Sequence, residues 1–115
     1  MLTIGSIVWG VRDVPRAIRF WCDALDYQPA RAPSDDWAIL VPRSGTGQQL
    51  SITIVSSDAK DHQRHHLDLY AIDQAAEVER LLGLGARRVD WRYPDHADYV
   101  VLADPDGNTF CVVQK

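Results

Sequence analysis

The chain has 115 residues, a formal charge of −4 and a hydrophobic fraction of 46%. This length suits one domain with a core of its own. The acidic balance excludes the basic face that nucleic acid or an anionic membrane requires, and no apolar stretch approaches the roughly 20 residues that span a bilayer. Two cysteines, Cys22 and Cys111, make no disulfide framework and favour a cytoplasmic location. Residues 1–11 lack the basic region and cleavage site of a signal peptide, so we expect no leader.

The first half of the chain predicts a strand, a helix and three further strands. An apolar segment ends at Val11, and Asp13 stands where a helix N-cap belongs. Apolar residues then recur at helical spacing: Ala17, Ile18, Trp21, Cys22 and Leu25. Three strands are expected in the segments that follow: residues 27–32, 37–41 and 50–53.

The second half repeats this pattern at an offset of sixty residues. Asp73 lies sixty residues after Asp13 and again precedes apolar residues at helical spacing, and Gly85 is placed to end that helix. Strands are expected near residues 87–92, 99–103 and 110–113. The turn between the last two contains Pro, Asp, Gly and Asn, which favour tight turns. The polar residues 56–63 separate the copies and predict a linker.

Four short motifs, in order, resemble the vicinal-oxygen-chelate superfamily, which includes glyoxalases, bleomycin-resistance proteins and extradiol dioxygenases. They are Val-Arg-Asp at 11–13, His-Leu-Asp-Leu at 66–69, Leu-Gly-Ala at 84–86 and Asp-Pro-Asp-Gly-Asn at 104–108. The second and fourth are similar to a glyoxalase-like domain subgroup. The resemblance implies an α+β fold, in which two tandem βαβββ modules form a cupped mixed sheet with helices on its convex face. We expect a single domain over residues 1–115, with module one at 1–55, the linker at 56–63 and module two at 64–115.

Period-two alternation assigns the two faces of the strands. One face is uniformly apolar and is expected beneath the helices: Ile7, Trp9, Leu67, Leu69, Phe110 and Val112. The other face mixes polar groups with aliphatic ones, as ligand pockets do. Its candidate ligand-binding residues, with two aromatic side chains that could line a pocket, are Ser6, Val8, Ser51, His66, Asp68, Tyr70, Cys111, Trp37 and Trp91. Core or dimer contacts are the alternative for the two tryptophans.

A metal site is disfavoured at the positions where the superfamily holds one. The resemblance places the ligands at Ser6, Ser51, His66 and Cys111, and only His66 matches the usual His, Gln or Glu. A Cys111 thiolate suits zinc, but two ligands fall short of the usual three or four. Asp68 is expected roughly 6 to 7 Å along the strand from His66, too far to join without distortion. We therefore expect no cofactor, with a divalent metal as the alternative.

His66 and Asp68 are the candidate catalytic residues. Neighbours on one strand face can hydrogen-bond, and the carboxylate would orient the imidazole as a general base. The alternative is a buried polar pair that only satisfies itself. His62 falls in the linker, and His65 points to the opposite face from His66, so the histidine-rich run cannot chelate together. Cys111 is a candidate nucleophile, with an inert buried thiol as its alternative.

The leading functional hypothesis is a glyoxalase-like small-molecule-binding protein that lacks the superfamily metal site. The first alternative is a lyase, isomerase or dioxygenase-type enzyme that uses His66 with a metal or as a general base. The second alternative is a regulatory or interaction module without a ligand. The resemblance also implies a homodimer, while no nucleic acid or membrane partner is expected.

Overall fold

The computed structural model describes residues 1–56, 63–105 and 107–115. Within them lie eight strands and two helices, and the bounds in chain order are β1 Thr3–Val11, α1 Val14–Leu25, β2 Tyr27–Pro29, β3 Trp37–Pro42, β4 Leu50–Ile54, β5 His65–Ala71, α2 Gln74–Gly83, β6 Arg87–Arg88, β7 Tyr99–Ala103 and β8 Thr109–Gln114. The chain divides into two compact units. The first unit is residues 6–65, and the second unit is residues 1–5 together with 66–115.

In the first unit the strands follow the order β2-β3-β4-β1, with α1 against them. β1 pairs with β4 in parallel, whereas the β2–β3 and β3–β4 pairs are antiparallel. Asp13 caps α1 by accepting a hydrogen bond from the Arg16 backbone N–H at 3.0 Å, which satisfies one of the free donors at a helix start.

The core of the first unit lies between α1 and this sheet. Its buried members are Val14, Ala17, Ala38, Leu40 and Ile52. Trp9 and Val11 of β1 pack against them from the expected apolar face. Full burial of one such aliphatic side chain contributes about 1.5–3 kcal/mol, so this layer supplies much of the unit's stability.

The second unit repeats the same plan, with the strand order β5-β8-β7-β6. β5 pairs with β8 in parallel, and β7 pairs antiparallel with both β8 and β6. Asp73 caps α2 through the Ala76 backbone N–H at 3.1 Å, and Gly85 follows the helix with a φ of +113°, a conformation that glycine adopts without strain. The buried core is Ala71, Val78, Leu102 and Val112.

The β7–β8 hairpin turns at the Pro-Asp-Gly-Asn segment, as the sequence predicts. The Asp104 carboxylate accepts a hydrogen bond from the Asn108 backbone N–H at 2.9 Å, and Gly107 has a φ of +91°. Residue 106 lies outside the described residues. These contacts hold β7 and β8 in register, so that Cys111 lies opposite Val101.

The predicted α+β class and the strand-helix-strand-strand-strand order of each copy are confirmed. The strands expected at residues 27–32 and near residues 87–92 are shorter than predicted, at Tyr27–Pro29 and Arg87–Arg88. Leu67, expected beneath the helices, is instead 38% exposed. The module bounds 1–55 and 64–115 stay a prediction, and most of the linker lies outside the described residues. No helix in the described ranges is long and apolar enough to cross a bilayer.

Candidate functional site

A cleft of about 340 Å³ opens in the second unit. Five of its lining residues are candidates predicted from the sequence: His66, Asp68, Tyr70, Trp91 and Cys111. The sequence reasoning missed the other four: Asp98, Tyr99, Val113 and Lys115. Alternation along β7 and β8 could have placed Tyr99 and Val113 beside Cys111, since Tyr99 pairs with Val113 in the sheet.

His66, Asp68 and Cys111 come together at the base of this cleft. The Nε2 atom of His66 lies 3.3 Å from an Asp68 carboxylate oxygen. The ligand atoms of all three residues lie within 4.8 Å of one another. The expectation that Asp68 stands too far along the strand is therefore wrong. β5 and β8 pair so that Asp68, and not His66, is directly opposite Cys111.

Cys111 is held as a thiol. Burial, followed by the negative charge of Asp68 and a hydrogen bond to its carboxylate, raises the pKa of Cys111 from 9.0 to about 12. A thiol with this pKa is almost wholly protonated at neutral pH and is a poor nucleophile in the free protein. The predicted role of Cys111 as a nucleophile therefore gains no support from the electrostatics of the cleft.

Aromatic rings and one cation also line the cleft. The Lys115 ammonium lies 4.4 Å from the centroid of the Tyr70 ring, within the range of a cation–π contact. The Gly5 backbone also lies close to this ring, because a Cβ on Gly5 would overlap the ring carbons. Trp91 is 48% exposed at the rim. The cleft thus combines planar apolar surface with polar groups at its base.

The predicted ligand-binding residues of the first unit do not line this cleft. Ser6 and Ser51 are 1% and 2% exposed, and their hydroxyl oxygens lie 2.7 Å apart in a mutual hydrogen bond. Val8 is 2% exposed and pairs with Ser51 across the β1–β4 ladder. Trp37 is 37% exposed on β3. Each of the two serine hydroxyls is therefore already hydrogen-bonded to the other.

The superfamily's four-residue metal site does not fit these residues. Ser6 and Ser51 would have to give up a buried hydrogen bond and offer neutral hydroxyls, which are weak ligands for a divalent ion. His66 and Cys111 carry suitable donor atoms, and Asp68 adds a carboxylate that the superfamily pattern does not include. The second unit therefore offers three possible metal ligands of its own: His66, Asp68 and Cys111.

A second cavity, of about 180 Å³, lies in the first unit between α1 and the sheet. Its lining is mostly apolar: Ile7, Trp9, Trp21, Leu25, Tyr27, Gln48, Gln49 and Leu50. The Tyr27 hydroxyl donates to the Gln48 carbonyl oxygen at 2.6 Å and is already paired. Among its described lining residues there is no imidazole, carboxylate or thiol of the kind that lines the cleft of the second unit.

His65 has a structural role that the sequence did not indicate. Its ring stacks on Trp9 with a centroid distance of 3.7 Å, and its Nδ1 accepts a hydrogen bond from the Gly10 backbone N–H at 3.2 Å. His66, the next residue, lines the cleft, as the predicted alternation requires. His62 lies outside the described residues.

The paired βαβββ plan defines the class of protein, and comparison with known proteins identifies the family. The family model described as "Glyoxalase-like domain" matches residues 6–113. The chain therefore belongs to the glyoxalase-like domain family, whose superfamily fold commonly binds small molecules. No curated protein sequence matches the chain.

Solved structures with the same fold share little sequence with the chain. A glyoxalase/bleomycin resistance protein/dioxygenase superfamily member from Vibrio splendidus 12B01 has a TM-score of 0.68 at 14% identity, with 100% of each chain covered. Methylmalonyl-CoA epimerase from Mycobacterium tuberculosis has a TM-score of 0.67 at 19% identity, with 96% of this chain and 86% of that chain covered. A hypothetical protein from Bacillus halodurans C-125 has a TM-score of 0.73 at 10% identity, with 99% and 94% covered. These likenesses support the fold alone.

Proposed function

We propose that this chain is a glyoxalase-like small-molecule-binding protein whose ligand occupies the cleft of the second unit. The observation that carries the proposal is the convergence of polar and aromatic side chains on one cleft of about 340 Å³. That volume falls in the range of roughly 300–1,000 Å³ that small-molecule pockets occupy.

The lining chemistry favours a ligand with a planar group and at least one polar substituent. Trp91, Tyr99 and Tyr70 offer ring faces and edges against which a planar group can pack. His66 and Asp68, 32% and 22% exposed, offer polar atoms to the same space. A ligand held in this way contacts the cleft's own side chains and does not depend on the superfamily's four-residue metal site, because Ser6 and Ser51 bind each other.

A thermal-shift screen of a metabolite library against the full chain tests the proposal. A ligand at a hundredfold excess over its Kd stabilises the folded state by about 2.7 kcal/mol. The Trp91→Ala variant should lose most of that shift. The control variant is Phe20→Ala, which removes an aromatic ring that is 61% exposed on α1, outside the cleft, and it should keep the shift.

Two results would contradict this proposal. A hit that stabilises Trp91→Ala as strongly as the unaltered chain would mean that the ligand binds elsewhere. A library without any hit would favour the regulatory or interaction module that needs no ligand.

The His66–Asp68 pair supports a second candidate function, a lyase, isomerase or dioxygenase-type enzyme. The carboxylate lies 3.3 Å from Nε2 of the ring, so it can orient His66 and leave Nδ1 free to accept a proton from a bound acid or phenol. For any reaction found with a ligand from the screen, His66→Ala should abolish turnover while the circular dichroism spectrum stays unchanged. Turnover that survives this substitution would exclude His66 as the base.

A further inference from the structure

Three different ligand types meet at the base of the cleft in the second unit: an imidazole, a carboxylate and a thiol. We propose that His66, Asp68 and Cys111 bind a divalent metal ion of the zinc type. This inference does not rest on the proposed organic ligand. The site shares His66 and Cys111 with the superfamily's four positions. It differs from them in its third ligand, Asp68, and in that all its donors come from two adjacent strands of one unit.

The distances between the donor atoms are close to those that a tetrahedral ion needs. With metal–ligand bonds of about 2.0–2.3 Å, the edges of such a tetrahedron measure about 3.3–3.8 Å. The His66 Nε2 to Asp68 oxygen distance is 3.3 Å, which already matches one edge. All three ligand atoms lie within 4.8 Å of one another. Side-chain rotations that move these atoms by about 1 Å would therefore bring every pair to the spacing of a tetrahedral edge.

The backbone holds these three residues in place before any ion arrives. His66 and Asp68 are two residues apart on one face of β5, and Asp68 pairs directly with Cys111 on β8. The hydrogen-bonded ladder fixes the spacing of the Cα atoms, so only side-chain torsions must adjust. Ligands that are already in position reduce the conformational entropy that is lost when the metal binds.

The internal repeat supplies a comparison within the same chain. The positions sixty residues earlier are occupied by Ser6, Val8 and Ser51, and Val8 pairs with Ser51 as Asp68 pairs with Cys111. The first unit therefore keeps the backbone geometry with residues that do not bind metals. The second unit has a ligating side chain at each of the same three positions.

The donor types favour zinc over magnesium or calcium. A thiolate and an imidazole bind zinc or other late transition metals, whereas magnesium and calcium prefer oxygen donors. On binding, Cys111 exchanges its proton for the metal and the proton passes to solvent. Three protein ligands leave the fourth tetrahedral position to a water or ligand oxygen from the cleft that the same residues line.

Metal titration of the full chain tests the proposal. The protein is treated with a chelator, dialysed, and titrated with Zn²⁺ in a calorimeter and with Co²⁺ in an absorption spectrometer. We expect one equivalent of either ion, and a near-ultraviolet charge-transfer band with Co²⁺ that reports a thiolate ligand. Cys111→Ser and Asp68→Asn should each weaken Zn²⁺ binding by about 100-fold or more, beyond the 10–100-fold that loss of a supporting partner causes.

Matched variants separate a ligand from an unrelated residue of the same type. Cys22→Ser removes the other cysteine, on α1, and should leave the Zn²⁺ affinity unchanged. His96→Asn alters a histidine with a φ of 60°, a conformation that asparagine tolerates, and should likewise have no effect. The Ser6→Ala, Ser51→Ala double variant should also keep its affinity.

Each contrary result would overturn the inference. If the protein binds no stoichiometric ion, the proposed metal site is refuted and the prediction from the sequence, that the protein has no metal cofactor, is retained. A Co²⁺ complex without the charge-transfer band would exclude the thiolate even if Cys111→Ser failed to fold. Loss of Zn²⁺ binding in the double serine variant would point to the superfamily's four positions. The ligand screen is run with chelator present, so failure of the metal site and failure of the organic-ligand proposal are read separately.

Discussion

Replacing Ser51 with Ala should destabilise the first unit more than its small change in volume suggests. The hydroxyl of Ser51 lies 2.7 Å from that of Ser6, and both residues are almost fully buried. Without it, Ser6 keeps one weak contact, to the Ile7 carbonyl oxygen at 3.5 Å. A buried polar group left without a good partner costs about 1–3 kcal/mol, so we expect a loss of about 1–2 kcal/mol.

The double variant makes this reasoning testable. Ser6→Ala alone should cost a similar amount, whereas Ser6→Ala with Ser51→Ala removes both polar groups and leaves neither unpaired. The double variant should therefore lose about 1 kcal/mol less than the sum of the single losses. Urea denaturation with matched slopes measures these free energies of unfolding.

Strict additivity would refute the reasoning. If the two single losses add to the loss of the double variant, the hydroxyls are not coupled and the short oxygen–oxygen distance contributes nothing measurable. A single loss below about 0.5 kcal/mol would indicate that each hydroxyl finds another partner, since surface-like substitutions fall in that range.

Four further predictions concern the second unit and the assembly. Cys111 has a pKa of about 12, against 9.0 for an ordinary thiol. In the chelator-treated native protein it should therefore react with iodoacetamide about a thousandfold more slowly than a free thiol does, because only the thiolate reacts. In denaturant it should react at the normal rate, and mass spectrometry of the alkylated protein measures both rates. Hydrogen bonds from the amino terminus and from Arg80 lower the pKa of Glu77, so its stabilising effect is present above its unfolded pKa and is lost as pH falls through the folded value. Glu77→Gln should therefore lower the Tm more at pH 7 than at pH 3, and an equal loss at both would contradict this. Gly5→Ala should displace the Tyr70 ring and cost about 1–3 kcal/mol in urea denaturation, because the new Cβ would overlap the ring. Sedimentation equilibrium should give twice the chain mass if the homodimer implied by the resemblance forms, and a monomer at all concentrations would exclude it.

Local signals in the sequence predicted the elements well. Asp13 and Asp73 cap their helices because a short acidic side chain can accept from the backbone two or three residues on, whatever the rest of the fold does. The turn before β8 is equally local, since Gly107 accepts a positive φ without strain. The repeat of these local patterns at an offset of sixty residues predicted that the fold is duplicated.

Contacts between strands were harder to predict. The register of β5 against β8 is set by packing across the whole sheet, and it pairs Asp68 with Cys111, a pairing that neither the repeat nor strand alternation predicts. Strand alternation gives the face of a residue but not the direction of its side-chain torsions. The separation of His66 and Asp68 was therefore overestimated.

The position of Lys115 over Tyr70 could not have been inferred either. A flexible lysine near the end of a strand has many rotamers, and its contact depends on where β5 places the tyrosine ring. The same holds for Trp91, which belongs to a loop and reaches the cleft only through the folding of residues 89–98.

The sequence by itself determined the duplicated α+β plan, the helix caps, the final turn and the alternating faces of the strands, because each depends on neighbours within a few residues or on a simple period. Tertiary structure decided which of those faces holds a site. Parallel pairing of β5 with β8 brings an imidazole, a carboxylate and a thiol to one cleft, while the same pairing of β1 with β4 closes two serines upon each other. The same pairing register thus gives two different environments, because the strands bring equivalent positions together in both units while the side chains at those positions differ in chemistry.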